Sequence, residues 1–272
     1  MLILQSVGGL CNRIRAIDTM LSLSRKIDTK LVVYWDRNDE LNASFTALFD
    51  FRNQFVLKET KYHSKNHPST KIKNLIARIK LYRFFKFLGY SGVYYVDDIV
   101  KMKEQGFDFT SLDRDKNYYF YFYAKIIENP TPYQEFTPQP YIMKIIDQVT
   151  AGFTPHTIGV HIRRTDNTHS IKNSPVQLFV DRMAKELELN PLTNFYLATD
   201  DPETEQFVES NFPGKIMKYS KELSRSSETG IRDAVVDLWA LSRTKKILGS
   251  FYSSFSHTAA EIGGIPEITI KE

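Results

Sequence analysis

From Thr157 to the C-terminus the sequence switches its hydrophobic period at regular intervals, and this alternation restricts the fold more than any other feature. TIGVHIRR reads as a strand to Arg164, Leu178 to Leu189 as a helix, FYLATDD as a strand and ETEQFVESNF as a helix. KIMKY, Ile231 to Ser242, KKILGS, SHTAAEIGG and EITI continue the series as strand, helix, strand, helix, strand. Short β-branched runs separated by helical segments of this length join through right-handed crossovers, which produces a parallel sheet covered by helices on both faces. Residues 151–272 are therefore expected to form a Rossmann-like domain.

The N-terminus carries the same unit once. Leu2 to Leu4 are a short apolar strand, and Ile14, Ile17, Leu21 and Leu23 recur at helical spacing. LVVYW, ending at Trp35, supplies the next strand. Between the first strand and the helix, Gly8 and Gly9 allow close backbone approach to a ligand, and the helix N-terminus points its amides at the same place. Asn12 and Arg13 occupy its first turn. The pattern is not G-x-G-x-x-G and lacks the lysine of a P-loop, so it specifies neither a dinucleotide nor ATP. NYYFYFYAKII reads as an aromatic strand. Pro130, Pro132, Pro138 and Pro140 then exclude both a regular helix and a central strand, and Tyr141 to Thr150 reads as a helix leading onward. The expected organisation is two α/β domains, 1–150 and 151–272.

Composition limits the possible settings. Of 272 residues, 42% are hydrophobic and 25% charged, which suits a soluble globular chain with a substantial core. A net charge of +4 without a nucleic-acid motif or domain-wide basic face gives no reason to expect a nucleic-acid partner. Cys11 is the single cysteine, so no internal disulfide forms and a reducing compartment is the default. The opening MLILQSVGGL lacks the basic region of a signal peptide, which makes a cytoplasmic location the expectation. Within 61–88, Ile72, Leu75, Ile76, Ile79 and Tyr82 fall on one helical face among lysines and arginines without an acidic residue. Such a segment suits peripheral contact with an anionic membrane face, or a core-facing helix with a solvated cationic side. Asp113 to Asp115 have D-x-D spacing but follow a loop-like FTSL. No C-x-x-C, H-E-x-x-H, G-x-S-x-G or EF-hand spacing occurs, so neither metal chemistry nor a serine triad is expected.

Three strand tips of the second half share one edge of the predicted sheet, where α/β folds open their binding crevice. They are Arg163, Arg164 and Asp166; Thr199, Asp200 and Asp201; and Ser250 to Ser254. Adjacent guanidiniums match phosphate oxygens, but Asp166 could equally pair with one of them at a plain strand end. Hydroxyls ahead of the helix near Ser256 suit either phosphate or helix capping. Asp200 and Asp201, followed by Pro202, could cap ETEQFVESNF. His161 within its strand fits a core role or a ligand contact, and Asp237 on its helix fits solvent exposure or a hydrogen bond to a ligand base.

HIRRTD, ATDDPET and DLWALSRTKKILGSFYSSFSHTAAEIGG, in that order, resemble the three donor-domain motifs of the GDP-fucose-dependent fucosyltransferase superfamily. The branch they resemble holds the α1,6- and nodulation-type enzymes, and GGLCNRIRA at Gly8 to Ala16 is similar to the superfamily's N-terminal glycine-rich loop. The resemblance implies the GT-B plan, two Rossmann-like domains facing a cleft, with 1–150 on the acceptor side and 151–272 binding the donor. It implies inverting, metal-independent transfer of fucose from GDP-fucose to a glycan hydroxyl, with no cofactor. By motif position, Arg163 would bind the β-phosphate and offset charge as the glycosidic bond breaks; Arg164, beside it at the strand tip, is a further donor-binding candidate. His161 and Asp237 would contact the guanine nucleotide, and Ser253 or Ser254 the phosphates, with Ser250 a donor-binding candidate at the same strand tip. Asp200 and Asp201 would flank the cleft, with Gly8, Gly9, Asn12 and Arg13 on the opposing wall.

The sequence departs from the family at one functional place. Where the α1,6 enzymes carry a lysine and then a glutamate after the motif aspartate, this chain has Asn167 and Ile171. Asp166 and His169 are the candidates left for the general base. The expected setting is surface polysaccharide or lipopolysaccharide synthesis. Transfer from another GDP-sugar, non-catalytic binding of a nucleotide sugar or glycan, and a structural role at a membrane surface are the alternatives.

Overall fold

The computed structural model describes residues 1–61, 83–165, 168–224 and 226–272. Most of the basic stretch 61–88, together with Asp166 and Asn167, lies outside the described residues. The chain divides into two compact units, Met1–Thr137 with Arg225–Ile231, and Pro138–Ser224 with Arg232–Glu272. The helix after the proline segment thus packs with the second unit.

The first unit holds β1 (Leu2–Ser6), α1 (Leu10–Lys26), β2 (Leu31–Arg37), α2 (Phe45–Leu48), β3 (Val56–Lys61), β4 (Gly92–Tyr95), α3 (Val96–Glu104) and β5 (Tyr118–Phe122). Its five strands run in the order β3-β2-β1-β5-β4, all parallel. The β-α-β unit read at the N-terminus is present, and the aromatic strand shortens to five residues. The two edge strands, VLKETK and GVYY, have no clear signal in the sequence. An edge strand pairs on one side only and buries less, so it needs no long apolar run.

The central helix α1 is buried nearly all round, including the polar Asp18, Thr19 and Ser22. Each finds its partner in the proline segment and its approach. Thr19 donates to the Ile127 carbonyl at 2.8 Å and Ser22 to that of Glu128 at 3.1 Å, while Asp18 accepts from Asn129 and from the Tyr133 amide, both at 2.8 Å. A stretch that can form neither helix nor strand is thereby fixed by side chains of its neighbour, which leaves few polar groups unpaired. Beside it, Phe45 lies within 6.2 Å, centroid to centroid, of Trp35, Phe49, Phe51, Phe55 and Phe136. Each such pair adds about 0.5–1.5 kcal/mol beyond its buried area, so this cluster anchors the unit's core.

The second unit contains α4 (Pro140–Thr150), β6 (Thr157–Ile162), α5 (Thr168–Asn173), α6 (Val176–Leu189), β7 (Asn194–Thr199), α7 (Pro202–Asn211) and β8 (Ile216–Met217). It continues with α8 (Glu228–Ser242), which shares its first turn with the other unit's range, then β9 (Ile247–Ser250), α9 (Ser254–Gly263) and β10 (Glu267–Ile270). The strand order is β10-β9-β6-β7-β8, again all parallel. The alternation predicted from Thr157 is present in full, with KIMKY reduced to a two-residue edge strand.

Every residue of β6 is buried. Ile158, Val160 and Ile162 pack with Phe179, Met183, Phe195 and Leu197, so Gly159 and His161 alternate to the opposite face. A Cβ on Gly159 would stand 2.9 Å from both Leu241 and Thr244, so only glycine admits the end of α8 this close to the sheet. From β6 the chain winds outward through β7 and β8, then returns to build β9 and β10 on the other side. The winding direction therefore reverses between β6 and β9, and the crevice of a doubly wound sheet opens at the carboxyl ends of those two strands.

Candidate functional site

At this reversal point the Ser250 hydroxyl bridges the two strands. It accepts from the Arg163 amide at 3.0 Å and donates to the His161 carbonyl at 3.3 Å. Ser250 is 1% exposed, so its hydroxyl is committed to holding the β6 tip. The next tip along does the same from the other side. Asp200, following β7, accepts from the Arg164 amide at 2.7 Å and from the Thr165 hydroxyl at 2.7 Å, and stands 3.5 Å from Arg163 Nε. Burial opposes ionisation of Asp200, but Thr165, the Arg164 amide and the Arg163 charge outweigh it and hold the carboxyl below its ordinary range.

The two arginines have different surroundings. The Arg163 guanidinium stays beside Asp200 with 17% of its side chain exposed, a fixed cation at the crevice. Arg164 turns back and donates to the carbonyls of Ile171 at 3.3 Å and Ser174 at 3.4 Å, closing the turn around α5. The two guanidiniums therefore part at the tip of β6, one beside Asp200 and one against the carbonyls that flank α5. Asp200 and Asp201 separate likewise. Asp201 is the N-cap of α7, accepting from the Thr204 amide at 3.0 Å and its hydroxyl at 2.5 Å, while Asp200 organises the β6 tip.

The serine segment leads into α9, whose N-cap is Ser253. Tyr252 adopts φ 58°, which turns the chain sharply before the helix, and Ser254 opens the first turn half-buried. Phe251 is tied by its amide to Ser174 Oγ at 2.8 Å, and Ser174 donates to the Ile270 carbonyl at 2.5 Å, so the loop is anchored to α5 and β10 at one point. Phe255 stacks on His161 with centroids 4.8 Å apart. The helix N-terminus, capped at the Phe255 amide by Ser253 and carrying a partial positive charge, therefore lies over the same strand that carries Arg163. A fixed guanidinium, a helix N-terminus and a half-exposed hydroxyl on neighbouring tips suit an anion with several oxygens.

His161 is 6% exposed, and its Nδ1 is buried without a hydrogen-bond partner among the described residues. Burial, reinforced by Arg163 and Lys221 and opposed by Asp200, pushes its pKa down to about 3, so the ring is neutral at ordinary pH. Asp237 is neither solvent-exposed nor uncommitted. Tyr196 donates to its Oδ1 at 2.6 Å and Lys221 to its Oδ2 at 2.5 Å, with both partners of the ion pair 7% exposed. The pairing with Lys221 carries no signal in the sequence, because the lysine comes from an irregular stretch, 218–224, and its partner from α8. His169 is exposed on α5, its ring 5.7 Å from that of Tyr252. Asp166 falls outside the described residues.

In the first unit, the glycine turn is held by contacts from within the unit. Gly8 has φ 84°, and a Cβ there would lie 2.8 Å from Asn12 Nδ2. Arg13 is fully buried and lines no surface. Its Nε donates to the Gly8 carbonyl at 2.7 Å, Nη1 to the Asp36 carbonyl and Nη2 to Asn38 Oδ1 at 2.9 Å, above the Trp35 ring. Arg13 therefore braces the turn against the end of β2. The Gly8 amide donates to Glu40 at 3.2 Å, and Asn12 accepts from Arg15 at 2.8 Å. Gly9 is the N-cap of α1.

Asp113 Oδ1 accepts from the Asp115 amide at 3.0 Å, so the D-x-D stretch is a self-capped turn. Among the described residues no group of three or more His, Cys, Asp or Glu could hold a metal ion. No helix among them is long and apolar enough to cross a membrane.

The chain matches no protein-family model. Solved structures do resemble it. NodZ alpha-1,6-fucosyltransferase soaked with GDP-fucose aligns over 96% of this chain and 92% of its own, with TM-score 0.63 and 16% identity. POFUT1 in complex with GDP aligns over 99% and 98%, with TM-score 0.57 and 10% identity. An Arabidopsis thaliana FUT1 mutant in complex with GDP aligns over 98% of this chain and 70% of its own, with TM-score 0.58 and 12% identity. At such identities the likeness is one of fold. The chain has the two-sheet α/β fold, of GT-B type, that these fucosyltransferases have.

Proposed function

We propose that this protein is a glycosyltransferase that moves fucose from GDP-fucose to a hydroxyl of a glycan acceptor, inverting the anomeric centre and requiring no metal. The observation that carries this reading is the convergence, at the winding reversal of the second sheet, of the Arg163 cation, the N-terminus of α9 and the buried face bearing His161 and Asp237. NodZ and POFUT1, whose fold the chain shares, have been crystallised with GDP-fucose or GDP.

In this reading the diphosphate sits between Arg163 and the first turn of α9, with Ser253 or Ser254 donating to phosphate oxygens. As the glycosidic bond breaks, negative charge grows on the β-phosphate, and a guanidinium already fixed beside Asp200 stabilises it without reorganising. That role does not call for a metal. His161 and Asp237 hold the guanine. Ser250, Asp200 and Arg164 act one step removed, keeping the β6 tip in place. The acceptor hydroxyl attacks the anomeric carbon from the face opposite GDP and gives its proton to a base, for which Asp166 and His169 are the candidates. Residues 1–150 serve the acceptor side, and the basic stretch 61–88 suits contact with an anionic, membrane-linked acceptor in surface polysaccharide synthesis.

The test is calorimetric titration of GDP, GDP-fucose and UDP, with chelator present, into the wild-type chain and Arg163→Ala. The reading expects GDP and GDP-fucose to bind in chelator, UDP not to bind, and Arg163→Ala to lose affinity by about ten- to a hundredfold, the range for a charge-assisted contact removed from a partly buried site. Absence of guanine nucleotide binding would sink it. Fucose transfer on a panel of glycans then separates an enzyme from a protein that only binds the donor, the alternative that Ile171 in the place of the family glutamate keeps open.

A further inference from the structure

Lys221 contacts Asp237 and has no part in the reading above. Its ammonium donates to Asp237 Oδ2 at 2.5 Å, with only 7% of either side chain exposed. The stretch that carries it is tied to α8 independently, since Asp233 accepts from the Tyr219 hydroxyl at 3.1 Å and from the Glu222 amide at 3.0 Å. The ammonium is therefore presented by an anchored segment. A buried ion pair adds little net stability over an apolar pair of the same size, because desolvation cancels most of the attraction. This one also shares its face of the sheet with His161, whose Nδ1 is buried and has no hydrogen-bond partner among the described residues.

We infer that Lys221 is a specificity-determining residue, donating to the 6-oxo oxygen of guanine while Asp237 accepts from N1–H and the 2-amino group. The inference rests on the GDP-sugar reading given above. A carboxylate offers about four lone-pair positions. Tyr196 and Lys221 take one on each oxygen, which leaves one on each, the number that N1–H and the 2-amino group require. An ammonium has three donors, and Asp237 uses one. O6 is adjacent to N1 on the ring, so a base edge laid along the carboxylate brings O6 to the ammonium. Adenine presents an amino group where guanine has O6 and a lone pair where guanine has N1–H, so both charges would face the wrong partner. Uracil has a single N–H between two carbonyls and leaves one carboxylate oxygen against a carbonyl. The pair thus selects guanine by misfit as well as by fit.

Titration of GDP, 6-thio-GDP and IDP into the full chain, as wild type, Lys221→Met and Lys221→Arg, tests this. 6-Thio-GDP weakens only the acceptor at position 6, and IDP lacks only the 2-amino group. The wild type should prefer GDP over each analogue by about tenfold, as for one hydrogen bond to a charged group. Lys221→Met should lose about tenfold in GDP affinity and its preference over 6-thio-GDP, while keeping its preference over IDP. Lys221→Arg, which preserves the charge next to Asp237, should fold and retain part of both. A Lys221→Met protein that binds GDP as well as or better than wild type, or still rejects 6-thio-GDP, overturns the inference. Should that variant fail to fold, the wild type decides, because equal binding of GDP and 6-thio-GDP also overturns it. A wild type that binds no guanine nucleotide removes the functional reading itself, an outcome distinct from the others.

Discussion

Ser250 holds the Arg163 amide at 3.0 Å from the end of β9, a contact spanning 87 residues of sequence that fixes the tip of β6. Replacing Ser250 by Ala leaves that amide and the geometry of the tip without their partner. The variant should lose about 1–2 kcal/mol of stability, the cost of one buried hydrogen bond. Its GDP affinity should fall as well, because Arg163 loses its anchor. Urea unfolding followed by GDP titration of the folded fraction measures both, and unchanged affinity would show that Asp200 alone suffices.

Asp200 and Asp201 are neighbours with separate duties, so their variants should divide. Asp201→Ala removes the α7 cap and should cost about 1 kcal/mol with GDP affinity intact. Asp200→Ala releases the Arg164 amide and the Thr165 hydroxyl and should weaken GDP binding severalfold or more. Equal effects of the two on nucleotide affinity would contradict the division.

His161 makes stability depend on pH in a defined window. Its pKa is about 3 in the folded protein against an ordinary value of 6.5, so the unfolded chain binds more protons between those values. Stability contributed by the neutral ring is complete above about pH 6.5 and is lost progressively as pH falls toward 3. Asp200, held below its ordinary value of 3.8, acts in the same direction only at the acid end of that window. The urea midpoint should therefore drop between pH 6.5 and 4.5, and the slope should flatten in His161→Phe. An identical slope in that variant would assign the dependence to other groups.

Arg13 is fully buried with donors to Gly8, Asp36 and Asn38. Burial lowers its pKa to about 10, still well above neutrality. Arg13→Met removes the donors to the Gly8 and Asp36 carbonyls and to Asn38 and should destabilise the chain by about 2–4 kcal/mol. Gly8→Ala, forced to φ 84° and against Asn12, should cost about 1–2 kcal/mol. Thermal unfolding of both variants checks the assignment, and a stable Arg13→Met protein would restore a functional role to that arginine.

Much of this fold is legible in the sequence. Hydrophobic period, glycine turns and proline breaks are local signals, and they placed the strands and helices from Thr157 onward and the unit from Leu2 to Trp35. The edge strands Val56–Lys61 and Gly92–Tyr95 were missed because half-paired strands carry little apolar signal. The strand-tip positions were legible too, since charged and hydroxyl residues following an apolar run stand out against it.

The sequence by itself determined the parallel α/β architecture and the tips at which chemistry would gather, because both follow from neighbours along the chain. Only the tertiary structure decided what each side chain does there. Arg163 stands beside Asp200 while Arg164 closes a turn, Asp200 positions while Asp201 caps, and Arg13 is buried inside the first unit. Asp237 meets Lys221 and Tyr196 from three separate elements. Those roles are set by which groups are brought within hydrogen-bond distance across tens of residues, and by how far burial strips them of water. Neither quantity is a property of a residue and its neighbours in sequence.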